Sequence, residues 1–339
     1  MDHSLLVSLN NEIIFTSDQH WLHPLFELEE YFQKEGIKGE TVYLRDKVAG
    51  KAAACLMVNL GIRNCHIELL SKRAIPVFKE NNIRFSYDRL VERIQCSTED
   101  LITDTMSIRE TYLFLRKRAG KIKGVSVKVQ DVSVKLEGQI ILNKLNLNLG
   151  QGDQLIIHGA NGSGKTTLLR ALLGLLPLSS GKIEIGDYLV GSNSWNKNRD
   201  IAAYVHQESI KSNFPISAGE VVQIGLGNRR ISATDKRYRV EVAMRRTGSF
   251  HLIDQPYLTL SGGEKQRVSL ARCLCQNAGV FLLDEPTSYL DNRGKEDLLV
   301  LLDELSQKEA PTMIIVSHEL QWAERLNWEN KELKGGRLW

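Results

Sequence analysis

The order of apolar and polar positions divides the chain into a first third of short alternating elements and a remainder with continuously apolar strands. In the first third, the pattern predicts a hairpin over residues 4–16, around Asn10-Asn11. Helices and strands then alternate: helix 25–33, strand 41–44, helix 49–60, strand 65–70, helix 74–81 and strand 83–87. This alternation predicts a small α/β domain whose sheet is covered on at least one face.

The remainder contains three runs that predict strands buried on both faces of a sheet, at residues 154–158, 280–284 and 312–317. A helical run over residues 167–174 follows the first of them, and a closing hairpin is predicted near residues 332–338. The second part of the chain is therefore also expected to be α/β.

A glycine-rich loop joins the first of these strands to its helix. It reads Gly159-Ala-Asn-Gly-Ser-Gly-Lys-Thr-Thr167 and fits the P-loop pattern G-x-x-x-x-G-K-[ST]. Gly162 and Gly164 let the backbone come close to a ligand, and the helix N-terminus favours phosphate. In such a loop the lysine reaches the β- and γ-phosphates, and the following hydroxyl holds Mg²⁺. The predicted ligands are ATP and Mg²⁺, bound by Gly159, Ala160, Asn161, Gly162, Ser163, Gly164, Lys165, Thr166 and Thr167.

From about Val125 onward, the chain resembles the ATP-binding cassette (ABC) ATPases, since further motifs follow the P-loop in the order of that family. These are a Q-loop at 205–208, the ABC signature Leu260-Ser-Gly-Gly-Glu-Lys-Gln-Arg267, a Walker B strand over 280–285, a D-loop at 288–291 and a switch histidine at 318. The resemblance implies a P-loop NTPase fold with a helical subdomain over about 209–273.

The resemblance also implies a role for each motif residue. Catalysis of ATP hydrolysis falls to Lys165, Gln207, Glu285 as the general base and His318 as the γ-phosphate sensor. Magnesium would be held by Thr166, Gln207 and Asp284. Ser261, Gly262 and Gly263, with Asp291 of the D-loop, would contact nucleotide across a dimer of two such cassettes, so the implied partners are a second ABC subunit and integral membrane permease chains.

Two positions depart from the family pattern. Tyr289 stands in the D-loop, where a small residue or Asn is common. Leu136 stands where the family usually stacks an aromatic ring on adenine, which implies apolar contact in place of stacking.

The first third of the chain resembles a small bacterial domain family of unknown function with a fold similar to that of cytidine deaminases. The likeness rests on Asp46-Lys-Val-Ala-Gly-Lys-Ala-Ala-Ala54 and on the element order. The Cys-Pro-Met-Glu often found near the end of that domain is replaced here by Asp104-Thr-Met-Ser107. Zinc deaminases need H-x-E and P-C-x-x-C. Only His66-Ile-Glu68 matches the first, so we expect a domain without deaminase catalysis.

The group Asp46, Lys47 and Lys51 leaves two interpretations open. Two lysines beside a helix N-terminus suit an anion, and hence a sensory ligand site. Alternatively, Asp46 caps the helix and the lysines are solvated. The basic run over residues 116–123 is similarly either a solvated hinge or a contact with anionic lipid.

Composition limits the possible partners and the cellular compartment. A formal charge of +3 over 339 residues gives no support for a nucleic-acid partner, and five cysteines without a C-x-x-C pair suit a reducing compartment. No apolar run is long enough to cross a bilayer. We therefore expect a cytoplasmic protein, peripheral on the inner face of the cell membrane.

The sequence thus predicts three parts: a deaminase-like α/β domain over 1–107, a helix and linker over 108–124, and an ABC ATPase over 125–339. The predicted function is the ATP-hydrolysing subunit of an ABC transporter. Residues 214–225 and 254–258 resemble the importers of metal ions or metal chelates. The alternative is a soluble regulatory or sensor ATPase whose N-terminal domain binds a ligand.

Overall fold

A computed structural model describes residues 3–206, 215–227, 230–319, 321–322 and 324–339. The chain divides into two compact units, residues 1–121 and 122–339. Among the described residues, no helix is both long and apolar enough to cross a membrane.

The first unit is one five-stranded sheet with helices. Its strand order is β2-β1-β3-β4-β5, in which β1 pairs antiparallel with β2 and β3, while β3, β4 and β5 run parallel. The elements are β1 (Leu5–Leu9), β2 (Glu12–Ser17), α1 (His23–Glu35), β3 (Tyr43–Ala49), α2 (Lys51–Asn59), β4 (Asn64–Ser71), α3 (Ala74–Glu80), β5 (Arg84–Val91), α4 (Ser97–Leu101) and α5 (Ile108–Arg118). Every strand and helix predicted here from the sequence is present.

Helix α5 belongs to the core of the first unit, although the sequence analysis placed it with the linker. Ser107 and Glu110 form a capping box that fixes its start. Its side chains Tyr112 and Leu115 are buried in the same cluster as the strands and α2. The apolar face of this amphipathic helix therefore determines that it belongs to the first unit, although basic residues follow at its C-terminal end.

Strand β3 is longer than predicted, and this changes the surroundings of Asp46 and Lys51. Asp46 lies inside the strand opposite Leu5 and Ile67, on the core face. It does not cap α2, whose N-cap is Gly50. Lys51 is buried, not solvated. The interpretation in which Asp46 caps the helix and both lysines are solvated is therefore wrong for Asp46 and for Lys51.

The second unit contains two sheets. The first is antiparallel, in the order β10-β9-β6-β7, and the second is in the order β11-β12-β13-β8-β14-β15. The strands are β6 (Val127–Leu136), β7 (Gln139–Leu149), β8 (Gln154–His158), β9 (Ser180–Ile185), β10 (Tyr188–Leu189), β11 (Ala202–Val205), β12 (Val280–Asp284), β13 (Thr312–Ser317), β14 (Glu329–Lys334) and β15 (Arg337–Leu338).

Helices surround these sheets. They are α6 (Lys165–Leu172), α7 (Asn193–Asn198), α8 (Ala218–Ile224), α9 (Ala233–Arg246), α10 (Gly262–Gln276) and α11 (Asn292–Lys308). Helices α8, α9 and α10 share a separate apolar cluster that includes Val221, Met244 and Val268, which corresponds to the predicted helical subdomain. Cys273 and Cys275 are buried in apolar clusters.

The six-stranded sheet places the candidate motifs together. Strands β12, β13 and β8 are neighbours and run parallel. The glycine loop follows β8, Asp284 ends β12, and Ser317 ends β13. Because carboxyl ends of parallel strands meet at one edge of a sheet, three segments that are far apart in sequence meet there.

Candidate nucleotide-binding site

The glycine loop adopts backbone conformations that favour glycine. Gly162 has φ 79° and Gly164 has φ 102°, both in the left-handed region. A Cβ on Gly164 would also lie 3.2 Å from side-chain carbons of Ile141 and Leu142. Helix α6 begins directly after Gly164, so the free amides of its first turn open onto the loop. The loop is therefore shaped to bring backbone N–H groups close to an anion.

Lys165 is buried, and its ammonium group lies inside the loop. Its Nζ donates to the carbonyl oxygens of Gly159, at 2.8 Å, and Ala160, at 3.2 Å. The same Nζ lies 3.7 Å from Oε1 of Glu285. A buried cation that is held between backbone carbonyls and a carboxylate is positioned before any ligand enters.

Asp284 links the loop to the end of β12. Its Oδ1 accepts a hydrogen bond from the Thr166 hydroxyl at 3.1 Å, and its Oδ2 accepts one from the Tyr204 hydroxyl at 2.9 Å. Burial raises the pKa of Asp284, although these two hydrogen bonds oppose that rise. Burial also raises the pKa of Tyr204, and the neighbouring Asp284 carboxylate adds to the rise. Tyr204 therefore stays a donor.

Glu285 is buried beside the end of β13, in a left-handed conformation with φ 47°. Its Oε2 lies 2.8 Å from Nδ1 of His318 and accepts a hydrogen bond from the His318 backbone N–H at 3.2 Å. The Ser317 hydroxyl donates to the same oxygen at 3.3 Å. The carboxylate is thus held on one side by the switch segment, with its other oxygen towards Lys165.

The signature segment begins helix α10. Ser261 is the N-cap and forms a capping box with Glu264. Hydrogen bonds from the Ser261 backbone and hydroxyl lower the pKa of Glu264. A Cβ on Gly262 would lie 3.2 Å from Cβ of Tyr289, and one on Gly263 would lie 3.2 Å from the Tyr289 carbonyl oxygen. The unusual Tyr289 therefore packs on the signature glycines.

Asp291 has a local structural partner. It is the N-cap of α11, and its Oδ1 accepts a hydrogen bond from the Gly294 N–H at 2.8 Å. The signature glycines thus lie beside Tyr289 and Leu290 of the D-loop, which Asp291 follows in sequence. Lys165, Thr166, Asp284, Glu285 and His318 form another group, joined by the contacts around the P-loop. Gln207 lies outside the described residues, so its predicted role remains a prediction.

Two residues of the P-loop group were missed by sequence reasoning. Tyr204 lies three positions before Gln207, and no motif distinguished it from an apolar strand residue. Ser317 directly precedes the switch histidine and was read only as the end of a strand. Both bind the Walker B carboxylates through hydroxyl groups. The signal that the sequence offered was a hydroxyl-bearing residue at or next to the carboxyl end of a strand.

Leu136 ends β6, at the tip of the hairpin that leads into β7. The turn passes through Glu137 and Gly138, both with positive φ. Leu136 is 37% exposed. Ile141, on the following strand, approaches Gly164 of the loop. An aliphatic side chain thus stands, partly exposed, at this hairpin tip.

Family comparison finds two matches in the chain. Residues 142–288 match the model for "ABC transporter", and residues 1–118 match "Domain of unknown function (DUF1893)". The second match covers α5 as well as the sheet. The predicted likeness to the cytidine deaminase fold remains a prediction.

Individual relatives are similar to the second unit. The manganese transport system ATP-binding protein MntB of Bacillus subtilis is 34% identical over 203 residues, which is 58% of this chain and 79% of the relative. The thiamine import ATP-binding protein ThiQ of Aliivibrio fischeri is 36% identical over 193 residues, 55% of this chain and 78% of the relative.

A solved structure is similar in fold. It is an ATP-binding cassette in a dimeric post-hydrolysis state with ADP and Pi. It is 27% identical, with a TM-score of 0.57, and the match covers 62% of this chain and 96% of that one. The P-loop NTPase fold predicted for the second unit is confirmed by this likeness.

Proposed function

This chain belongs to the ABC transporter family and hydrolyses ATP, and from that premise we propose that it is the energising subunit of an importer for metal ions or metal chelates. The observation that carries the chemistry is the contact between Glu285 and His318 beside the P-loop. The cargo is proposed from the likeness to a manganese transport protein.

The chain's own residues are arranged for phosphoryl transfer to water. Phosphoryl transfer needs alignment and charge stabilisation more than covalent help. Lys165 and the loop amides bind the phosphates, and Lys165 neutralises negative charge there. Glu285 accepts the proton of the attacking water, and His318 holds the carboxylate in place through Nδ1.

The residues beside the P-loop fit magnesium. Thr166 and Asp284 present two oxygen atoms at 3.1 Å from one another, and Mg²⁺ prefers hard oxygen ligands, keeping several waters. Gln207 is the further proposed ligand. When bound, Mg²⁺ would neutralise charge on the phosphate oxygens.

The proposed second subunit follows from the dimeric state of the solved relative. That relative is a dimer, and in this chain Gly262 and Gly263 pack on Tyr289, so that the signature segment and the D-loop adjoin and form one surface. We propose that this surface completes the nucleotide site of a second ABC subunit. Separate permease chains would carry the membrane-spanning part, with this chain peripheral on the inner face of the membrane.

The test begins with the Glu285→Gln variant, purified with ATP from native membranes. An amide in place of the base is expected to leave ATP bound between two subunits, which keeps the partner attached. Mass spectrometry identifies the proteins that are recovered with the variant. A multi-span membrane protein that cells need for the uptake of the same cargo supports the transport function. Recovery of a dimer without any membrane protein would contradict it. Glu319→Gln is the matched control, because Glu319 also neighbours His318 but is exposed.

The cargo needs its own measurement. Cells in which Glu285→Gln replaces the wild-type chain are expected to accumulate less manganese or zinc, measured by elemental mass spectrometry. Normal metal content together with reduced thiamine uptake would contradict the metal cargo while leaving the transport function in place.

The second candidate is a sensor ATPase with a ligand-binding N-terminal domain. The observation that favours it is a cavity in the first unit, lined by Lys51 and Arg73. A change in the rate of ATP hydrolysis on addition of a small molecule, without any membrane partner, would favour this candidate over the transport function.

A further inference from the structure

The first unit contains a cavity of about 540 Å³ at the start of α2 and α3. Charged residues line one part of it, including Lys51, Arg73 and Asp104, and apolar residues line another, including Val77 and Met106. The cavity lies wholly within residues 51–108. It shares no residue with the nucleotide site and has no role in the proposed transport chemistry.

The cations of this cavity are deeper than the acids that neutralise them. The Lys51 side chain is only 9% exposed, whereas its partner Asp104 is 89% exposed. Nζ of Lys51 donates to Oδ1 of Asp104 at 3.0 Å and to the Thr103 carbonyl oxygen at 2.8 Å. A buried ammonium is costly without a counter-charge, so the cavity requires an anionic group near Lys51.

Arg73 completes the cationic end. Its Nη1 and Nη2 donate to the carbonyl oxygens of Glu99, at 2.6 Å, and Ile102, at 2.7 Å, which fixes the guanidinium plane. Its Nη2 lies 3.6 Å from Oδ1 of Asp104. The same carboxylate oxygen is thus shared by Lys51 and Arg73. Both cations together lower the pKa of Asp104, with Lys51 as the larger cause.

The space directly in front of α2 is not the ligand position. It is filled by the buried carboxylate of Glu99, since a Cβ on Gly50 would lie 2.3 Å from Oε2 of Glu99. The Ser71 hydroxyl donates to the other oxygen of that carboxylate at 2.8 Å. An incoming anion must therefore bind Lys51 and Arg73. The carboxylate that now pairs with both is that of Asp104, whose side chain is exposed and can be displaced.

We propose that this cavity binds a small organic carboxylate, and that Asp104 is an internal stand-in for the ligand. The ligand's carboxylate replaces that of Asp104 between Lys51 and Arg73. Arg and Lys side chains form charge-assisted hydrogen bonds with carboxylates. Its apolar body lies against Val77, Met106 and Ile108. The volume exceeds what a bare carboxylate needs, so the ligand carries an aliphatic or aromatic group.

The test uses 4-phenylbutyrate as the probe and isothermal titration calorimetry on the full chain. ADP and Mg²⁺ are present in excess, so that the nucleotide site is filled. The Asp104→Asn variant removes the negative charge of the internal competitor at an exposed position. We expect it to bind the probe about 3- to 10-fold more tightly than the wild type, because the carboxylate no longer has to be displaced.

Two further variants and one neutral analogue complete the test. Lys51→Met is expected to weaken probe binding by about 10-fold or more, since it removes a charge-assisted hydrogen bond. Glu92→Gln is the matched control: it also lines the cavity but pairs with Lys72, so affinity should be unchanged. The uncharged 4-phenylbutyramide should bind no variant. Absence of binding to Asp104→Asn, or equal affinity of Asp104→Asn and wild type, would overturn the proposal.

Discussion

The two units of this chain hold polar pockets that are built in opposite ways. The nucleotide site uses short contiguous motifs at the carboxyl ends of three neighbouring strands. The N-terminal cavity collects side chains from α2, α3 and the segment before α5, and no contiguous motif describes it. A site built on strand ends can therefore be read from the sequence, whereas a site built between helices depends on how those helices pack.

The pockets also differ in how they neutralise buried charge. In the nucleotide site, the buried carboxylate of Glu285 has internal partners, Lys165 and His318. In the cavity, the buried Lys51 depends on the exposed Asp104. The first arrangement fixes groups before a ligand arrives, which suits catalysis. The second leaves the counter-charge replaceable, which suits ligand exchange.

A large effect is expected from removing the partner of Glu285, second only to removing the Glu285 carboxylate itself. His318→Ala deletes the imidazole at 2.8 Å from Oε2, so the carboxylate loses its orientation. We expect kcat for ATP hydrolysis to fall by about 10- to 100-fold with little change in ATP affinity. Steady-state phosphate release and nucleotide titration measure the two quantities. His251→Ala, at an exposed position, is the control, and an unchanged kcat in His318→Ala would contradict the orientation.

A smaller effect is expected from Asp46, a carboxyl on the core face of the first unit. Burial raises its pKa to about 7, and the nearby Glu68 adds to the rise. The folded-state pKa lies above the unfolded value near 3.8, so the protonated carboxyl favours the folded state. The free energy of unfolding therefore falls as the pH rises from about 4 to 7.

The Asp46→Asn variant tests the direction of this pH dependence. The asparagine cannot ionise, so the variant's stability advantage over the wild type should grow by about 2.5 kcal/mol between pH 5 and pH 8. Thermal unfolding of both full-length proteins at the two pH values measures it. An advantage that is equal at both values, or larger at pH 5, would contradict the raised pKa.

The smallest effect is expected at the hairpin tip. Leu136→Tyr places a ring at the position where the family resemblance predicts adenine stacking, and we expect ATP to bind about 3- to 10-fold more tightly. The control is Ile140→Tyr, at an exposed position on β7 of the same hairpin. If both variants bind ATP like the wild type, Leu136 does not face the base.

The fold and the P-loop group were largely predictable because their signals are local. Continuous apolar runs identified β8, β12 and β13, and the parallel arrangement of these strands brings Lys165, Asp284 and His318 together. The closing hairpin near residues 332–338 was predicted from its turn and is present as β14 and β15.

The remainder depended on packing across the sequence. Nothing local distinguishes an extended Asp46 from an N-cap, because the end of β3 is set by pairing with β4. The role of Tyr204 depends on the register that places it beside Asp284. Lys51 looked like a solvated lysine because its burial is caused by residues about fifty positions away.

The catalytic arrangement is tested most sharply by ATP turnover of the Glu285→Gln variant, measured beside wild type and Glu319→Gln at saturating ATP and Mg²⁺. With Glu285 as the base held by His318, turnover should fall by about 100-fold or more while ATP still binds with wild-type affinity. Glu319→Gln should hydrolyse ATP at the wild-type rate. Normal turnover in Glu285→Gln would show that another group accepts the proton and would contradict the catalytic arrangement described for this site.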